Sequence, residues 1–196
     1  MCVTIRRMQI ALFGGRFDPV HNGHIAIAKE VLKMKAADEV WFSLENQHQW
    51  RPIIASSSDR LAMLTRAIEH ENHMKIDDTP IRLGGLTQTL FVMRELKKRM
   101  KKDRVIFLCG SDQLIRMPEW THWKELEKEV QFLVVGRKGS PIEKVPSNCV
   151  ILQDPTYEPL EDSATRIREK IKKEKSIRGL VPKKVEAYIH EKGLYR

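Results

Sequence analysis

The chain has 196 residues, of which 41% are hydrophobic and 31% are charged. This is the size and composition of one globular domain, and it is too short for two full ones. No run of about 18 apolar residues occurs, and the first residues lack the apolar core of a signal peptide, so we expect no membrane span and no secretion. Cys2, Cys109 and Cys149 form no C-x-x-C pair, which suits a reducing compartment and predicts a cytoplasmic protein.

The net charge of +9 predicts a surface that attracts anions. Basic residues concentrate at 97–102 and at 166–175, both within predicted amphipathic helices, and we interpret them as solvated helix faces. Nucleic-acid binding is the alternative. We expect no nucleic-acid partner, because no aromatic residues alternate with these lysines to stack on bases.

Apolar runs alternate with helical patterns, which predicts an α/β fold with a mainly parallel sheet. Strands are predicted at residues 10–13, 39–44, 104–109 and 130–135, with a short one within 145–153 and two within 74–83, on either side of Asp78-Thr79-Pro80. Helices are predicted at 25–32, after a cap at 56–59, at 84–100 with the core face Leu90, Val92, Met93 and Leu96, after Pro118, after 162, and from Pro182 with the docking face Val185, Tyr188 and Ile189. We expect a single domain over 1–196, with the helical part from about 160 packing on the sheet.

The first strand leads into a motif that predicts a phosphate site. Two glycines at 14 and 15 end the strand and leave a ligand free to approach, Asp18 and Pro19 make a turn, and Asn22 can cap the next helix. His21 and His24 flank that helix start, where free amide groups and the helix dipole favour an anion. Two alternatives are histidines that only cap and pack, and a zinc pair, for which no cysteine or acidic cluster nearby supplies further ligands.

Two later segments carry further candidates. Asp112 follows the strand at 104–109, where it either holds ribose hydroxyls or caps a helix, and Trp120 can stack on a planar acceptor ring, whereas Trp123 is assigned to the core. Asp162 or Ser163 caps a helix whose first turn contains two arginines. Arginines there oppose the helix dipole unless an anion is bound, so we expect one of Arg166 and Arg168 to face a site; the alternative is that both are solvated.

The motif G-G-x-F-D-P-x-H-x-G-H at 14–24 is neither a Rossmann dinucleotide fingerprint nor a Walker loop. It resembles the first signature of the nucleotidyltransferase superfamily and, within it, of the nicotinate or nicotinamide mononucleotide adenylyltransferases. Four later features resemble the bacterial nicotinate-mononucleotide enzymes in order and spacing: Gly110-Ser-Asp-Gln-Leu before Trp120, Arg137 after a strand, Ser163-Ala-Thr-x-Ile-Arg168, and the ending P-x-x-V-x-x-Y-I-x-x-x-G-L-Y at Tyr195.

The resemblance implies a Rossmann-like, three-layer, doubly wound fold that transfers the adenylyl group of ATP, accompanied by Mg²⁺, to a pyridine mononucleotide in NAD biosynthesis. It implies His21, His24 and Arg168 as catalytic residues. The residues it implies for ATP are Gly14, Gly15, Phe17, His21, His24, Gly110, Asp112, Ser163, Thr165 and Arg168, and those for the acceptor are Thr89, Trp120 and Arg137. The chemistry agrees, because an ionised acceptor phosphate needs positioning and charge stabilisation rather than a general base.

The chain departs from the family pattern where the acceptor base is recognised. Arg16 stands in place of a small hydroxyl residue, residues 45–51 replace a proline-rich loop that carries a lysine, and Gly84-Gly85-Leu86 replaces Ser-Tyr-Thr. Nicotinate, nicotinamide and a related acceptor such as phosphopantetheine therefore stay open, as does a nucleotide-binding sensor without turnover. A homo-oligomer is compatible with the sequence.

Overall fold

A computed structural model describes residues 7–45, 52–84, 88–136, 145–152 and 163–196. In these residues a six-stranded sheet has the order β3-β2-β1-β4-β5-β6, and every neighbouring pair is parallel. The strands are β1 (Gln9–Gly15), β2 (Glu39–Leu44), β3 (Met74–Asp77), β4 (Arg104–Gly110), β5 (Phe132–Val135) and β6 (Cys149–Leu152). The predicted α/β architecture with a parallel sheet is confirmed. The order reverses between β1 and β4, so a crevice opens at the carboxyl ends of these strands, where open α/β sheets bind ligands.

Helices cover both faces of the sheet, which gives the expected three layers. They are α1 (Asn22–Lys33), α2 (Ser57–Ile68), α3 (Thr79–Arg82), α4 (Thr89–Arg99), α5 (Trp123–Glu129), α6 (Ala164–Lys172) and α7 (Lys183–Glu191), with short 3₁₀ turns at Ser111–Gln113 and Met117–Glu119. No helix of the described part of the chain is long and apolar enough to cross a bilayer.

Side chains alternate between two apolar clusters along β1, as expected for a strand buried on both faces. Ala11 and Phe13 pack in a cluster that also holds Ile167 of α6 and Val185 of α7. Leu12 packs on the other side with the helices α4 and α5. The C-terminal helices therefore complete the layer that covers one face of the sheet.

The main error in the predicted elements lies between 74 and 83. We predicted two strands there, but only the first exists, and α3 follows it as a single helical turn. Pro80 is the second residue of that turn, a position where its missing N–H removes no helical hydrogen bond. The core face predicted for α4 is confirmed, since Leu90, Val92, Met93 and Leu96 are all buried.

Candidate active site

Aromatic rings pack closely against the two glycines that end β1. A Cβ on Gly14 would lie 2.6 Å from Phe107 Cζ, and a Cβ on Gly15 would lie 3.0 Å from Phe17 Cζ. The rings lie on the side where a Cβ would stand; the approach of a ligand to the backbone of these glycines stays a prediction. The glycines therefore allow the rings to pack against the backbone at the strand end.

His21 and His24 lie together at the start of α1. The His21 side chain is buried, and the two ring centroids are 3.7 Å apart. The backbone amide of His21 donates a hydrogen bond to His24 Nδ1 at 3.3 Å. Because Nδ1 accepts, the ring proton of neutral His24 lies on Nε2, which makes that atom a hydrogen-bond donor. The Phe17 ring packs edge-on against His24 at 5.0 Å and helps to fix its orientation.

Several backbone amides at the start of α1 donate hydrogen bonds to other groups of the protein. The Asn22 amide donates to Leu180 O at 2.9 Å, and the His24 amide donates to His21 O at 3.0 Å. The prediction of free amide groups here is therefore wrong for His21, Asn22 and His24. The prediction of Asn22 as the cap is also wrong, because His21 occupies that position; the Asn22 side chain instead donates to Gly179 O at 2.7 Å.

The start of α6 reaches the loop that joins β1 to α1. Ser163 is the cap, and its hydroxyl accepts a hydrogen bond from the Arg166 amide at 3.2 Å. Arg168 Nη1 donates to Asp18 O at 2.6 Å, and Arg168 Nη2 donates to Thr165 Oγ1 at 3.3 Å. Arg166 is exposed, so Arg168 is the arginine that approaches residues 16–21, the connection between β1 and α1, which we call the histidine loop. Two segments about 150 residues apart thus meet at one place.

Asp18 is a site residue that the sequence interpretation treated only as part of a turn. Asp18 is 1% exposed, and a cis peptide bond joins it to Pro19. The carboxylate accepts hydrogen bonds from the amides of Ile54 at 2.8 Å and Ala55 at 3.1 Å, and from the Tyr195 hydroxyl at 2.7 Å. Asp18 therefore connects the motif loop to the chain before α2 and to the C-terminal segment.

Arg60 of α2 is a second residue that sequence reasoning missed. It is fully buried and donates to the carbonyl oxygens of Arg16 at 2.8 Å, Glu45 at 2.7 Å and Ala55 at 3.3 Å. Burial lowers the pKa of the Arg60 guanidinium. Arg60 thus holds the end of β1, the end of β2 and the approach to α2 together beneath the histidine loop.

Glu45 follows β2 and lies in the same buried region. Burial raises the pKa of Glu45 to about 7, although the nearby guanidinium groups of Arg16 and Arg60 act in the opposite direction. The Arg16 side chain is directed towards Pro52, whose carbonyl oxygen is 3.5 Å from Arg16 Nη1. We left open whether Arg16 contacts a phosphate; the described contacts turn it towards the segment before α2.

Asp112 lies just beyond the end of β4, across the crevice from β1. It is half-buried within the 3₁₀ turn Ser111–Gln113, and its carboxylate accepts a hydrogen bond from Gln113 Nε2 at 2.8 Å. The cap of that turn is Gly110, so the alternative in which Asp112 only caps a helix is wrong. The ribose contact stays a prediction.

Trp120, the stacking candidate, and Trp123, which was assigned to the core, both pack against the apolar cluster that contains Leu12. Trp120 is edge-on to Phe107 at 5.8 Å and to Phe132 at 6.1 Å, and Trp123 lies 5.8 Å from Phe132. Both indoles are half-buried. Thr89, another acceptor candidate, is the first residue of α4 and is also half-buried. Stacking of Trp120 on an acceptor ring stays a prediction.

Several candidates lie outside the described residues. These are Arg137, the alternative cap Asp162, residues 46–51 of the atypical loop, and Gly85 and Leu86. Among the residues that the structure does describe, no group of three or more His, Cys, Asp or Glu side chains could hold a metal ion.

The parallel sheet, with paired histidines where the strand order reverses between β1 and β4, is the arrangement of a nucleotidyltransferase. The cytidylyltransferase-like family matches residues 12–170. The nicotinate-nucleotide adenylyltransferase of Bacillus subtilis (strain 168) is 35% identical over 190 residues, 95% of this chain and 98% of the relative. A probable nicotinate-nucleotide adenylyltransferase of Shouchella clausii (strain KSM-K16) is 35% identical over 189 residues, 95% of this chain and 96% of the relative. The chain belongs to the cytidylyltransferase-like family and, within it, to the nicotinate-nucleotide adenylyltransferases.

A solved structure supports the same fold. The nicotinic acid mononucleotide adenylyltransferase of Plasmodium falciparum, complexed with NaAD, superposes with a TM-score of 0.84 at 18% sequence identity. The match covers 96% of this chain and 98% of that chain. The Rossmann-like fold expected from the sequence motifs is therefore confirmed.

Proposed function

We propose that the protein transfers the adenylyl group of ATP to nicotinate mononucleotide, forming the dinucleotide and pyrophosphate in NAD biosynthesis. The observation that carries the proposal is the hydrogen bond from Arg168 to Asp18 O at 2.6 Å, which brings the start of α6 to the loop of His21 and His24. The relatives named nicotinate-nucleotide adenylyltransferase support nicotinate as the acceptor base.

The reaction is a displacement at the α-phosphorus of ATP. An oxygen of the acceptor phosphate forms the new bond, the bond from the α-phosphorus to the bridging oxygen breaks, and pyrophosphate leaves with that electron pair. The acceptor phosphate is ionised near pH 7, so catalysis comes from positioning and charge stabilisation. His24 Nε2 is a donor held in place by the bond at Nδ1, and we assign it to an oxygen of the α-phosphate. The buried His21 ring, stacked on His24, positions the phosphates.

We assign the leaving pyrophosphate to the start of α6. Arg168 uses two described hydrogen bonds, to Asp18 O and Thr165 Oγ1, and a guanidinium has five N–H donors. The remaining donors can therefore face the negative charge that develops on the leaving group. Ser163 and Thr165, in the cap and first turn of α6, are assigned to the same phosphates, where the helix dipole also favours an anion.

A magnesium ion would reach this site with ATP, since the described residues contain no carboxylate cluster that would hold it on its own. Mg²⁺ takes most of its ligands from phosphate oxygens and water in nucleotide sites, so the triphosphate held by Ser163, Thr165 and Arg168 would hold the ion. When bound, the ion neutralises phosphate charge and orients the triphosphate. Asp112 is assigned to a ribose, and Trp120, Thr89 and Arg137 are assigned to the acceptor.

An acceptor panel tests the proposal. The purified protein is incubated with ATP, Mg²⁺ and nicotinate mononucleotide, nicotinamide mononucleotide or phosphopantetheine, and pyrophosphate and dinucleotide are measured. We expect product with nicotinate mononucleotide. Product with phosphopantetheine alone would favour the related transferase, and ATP binding without turnover on any acceptor would favour a sensor; either result refutes the proposed reaction.

Variants of His24 test the assigned donor. His24→Ala should lower kcat by about 10²–10³, the usual loss when one transition-state donor is removed. His24→Gln keeps an N–H group near the Nε2 position and should retain more activity than His24→Asn, which keeps polar atoms only near the Nδ1 position. His70→Ala, at an exposed position, is the control and should leave kcat unchanged. Equal activity of the Gln and Asn variants would contradict the assignment of Nε2.

A further inference from the structure

Tyr195 lies at the far end of the chain from the histidine motif but contacts its loop directly. The residue is 6% exposed, and its hydroxyl donates to Asp18 Oδ1 at 2.7 Å across 177 positions of sequence. Its φ of 66° is in the left-handed region, which is uncommon for a residue other than glycine. Such a conformation persists where the surrounding contacts fix it. The buried hydroxyl bond to Asp18 is one of those contacts.

Asp18 transmits this contact to the arginine of α6. Its carboxylate receives Tyr195, and its carbonyl oxygen receives Arg168. The residue before it, Phe17, also has a left-handed φ, 47°, and its ring packs on His24. The loop is therefore held in an unfavourable backbone conformation by hydrogen bonds at Asp18, and both His24 and Arg168 touch that loop.

We propose that Tyr195 is a positioning residue: through Asp18 it sets the histidine loop, and with it the positions of His21, of His24 in the first turn of α1, and of Arg168. This inference rests on the proposed function, since it assigns a role within the same site. The Tyr195 hydroxyl reaches neither histidine in the described contacts, and it acts through the Asp18 carboxylate and carbonyl. A displacement of about 1 Å in such a loop is enough to slow a positioned reaction by about 10²-fold.

The Tyr195 hydroxyl is held in the form that can donate a hydrogen bond. Burial, and then the negative charge of Asp18, raise the pKa of Tyr195 well above its ordinary value. The phenol therefore stays protonated, and the contact is a constant part of the site.

A matched control exists in the same segment. The Tyr188 hydroxyl of α7 donates to Asp59 Oδ1 at 2.9 Å, so it makes the same kind of bond between the C-terminal segment and an aspartate. That bond joins α7 to α2, and neither residue has a described hydrogen bond to Asp18 or Arg168. Tyr188→Phe therefore removes a tyrosine–aspartate hydrogen bond, here to the less buried Asp59, without touching the histidine loop.

The test compares Tyr195→Phe with Tyr188→Phe, because each keeps its aromatic ring. Both variants should lower the midpoint of thermal unfolding by only a few degrees, so their kinetics can be compared well below it. Tyr195→Phe should lower kcat about 10-fold or more with the KM for the acceptor within about 2-fold of wild type, whereas Tyr188→Phe should leave kcat unchanged. A kcat for Tyr195→Phe within 2-fold of that for Tyr188→Phe overturns the inference.

Two further measurements separate the positioning role from stability and from the proposed reaction. Combined with Arg168→Lys, Tyr195→Phe should lower kcat less than the product of the single effects, because both changes act through Asp18; Tyr188→Phe should combine multiplicatively. Calorimetry with a non-hydrolysable ATP analogue and Mg²⁺ should show about 10-fold weaker binding for Tyr195→Phe alone. If wild type binds the analogue and Tyr195→Phe weakens binding, but no acceptor is adenylylated, the reaction is wrong and the positioning role stands; equal binding by both variants refutes the positioning role.

Discussion

Gly14→Ala tests how tightly the end of β1 packs against Phe107 of β4. The new Cβ would lie 2.6 Å from Phe107 Cζ, whereas ordinary contact begins at 3.4 Å, so the ring must retreat by about 0.8 Å or β1 and β4 must separate. Phe107 is 6% exposed and is bordered by Phe132 and Trp120, each with its ring centroid 5.8 Å away. The ring therefore cannot move without disturbing both neighbours.

Overpacking of this kind costs about 1–3 kcal/mol. For a chain of this length, that range corresponds to a fall of roughly 2–12 °C in the midpoint of thermal unfolding. The free energy of unfolding is measured by urea denaturation, with Gly136→Ala as the matched control. Gly136 follows the end of β5, and a Cβ there meets nothing within 4 Å, so that variant should stay within about 0.5 kcal/mol of wild type.

Phe107→Leu in the Gly14→Ala background identifies the cause. The smaller side chain gives the new Cβ room, so the double variant should be more stable than the sum of the two single effects by about 0.5–3 kcal/mol. The reasoning is refuted if Gly14→Ala is no less stable than Gly136→Ala, or if Phe107→Leu costs the same free energy in both backgrounds.

Three further substitutions probe buried charges, each by urea denaturation. Arg60→Met removes the donor for three backbone carbonyls and should cost about 3–5 kcal/mol; a loss below 1 kcal/mol would contradict this role. The raised pKa of Glu45, about 7 against an ordinary 4.5, means that the native state binds the proton more tightly, so stability should fall by about 3 kcal/mol at most as pH rises from 4.5 through 7. Glu45→Gln should remove that part of the pH dependence, and an unchanged profile would refute it. Asp77→Asn leaves one oxygen to receive both Ser43 and Thr79 and removes the charge beside Arg99, so it should cost about 1–3 kcal/mol, and no loss would contradict a stabilising role for these contacts.

Sequence patterns over a few residues predicted the central strands, the buried face of α4 and the cap of α6. The alternation of apolar runs identified the central strands, and the spacing of Leu90, Met93 and Leu96 identified the buried face of α4, because one face of a helix repeats every three to four residues. Ser163, one of the two candidates for the cap of α6, occupies that position, because its hydroxyl bonds an amide three residues away.

The residues that hold the site together were missed because their partners are distant in sequence. Asp18 bonds Ile54 across 36 positions and Tyr195 across 177, and nothing near Asp18 in the sequence specifies either partner. Arg60 did carry a signal: it lies three and four positions before the buried residues Met63 and Leu64, so helical spacing places it on the apolar face. Asn22 was assigned to the cap from its residue type and its place before the apolar segment, but the cap of α1 is the adjacent His21.

The hydrogen bonds around Asp18 bear on the proposed phosphate site, because three backbone amides at the start of α1 are already used within the protein. The amides of His21, Asn22 and His24 are used within the protein, so the loop gains a fixed shape but gives up three donors that could have faced phosphate. Side chains must then supply the charge and the donors. Arg168 contacts the loop at Asp18 O, and the Asp18 carboxylate accepts hydrogen bonds from Ile54, Ala55 and Tyr195. The position of the arginine that we assign to the phosphates is thus set by a buried carboxylate that we do not expect to touch them.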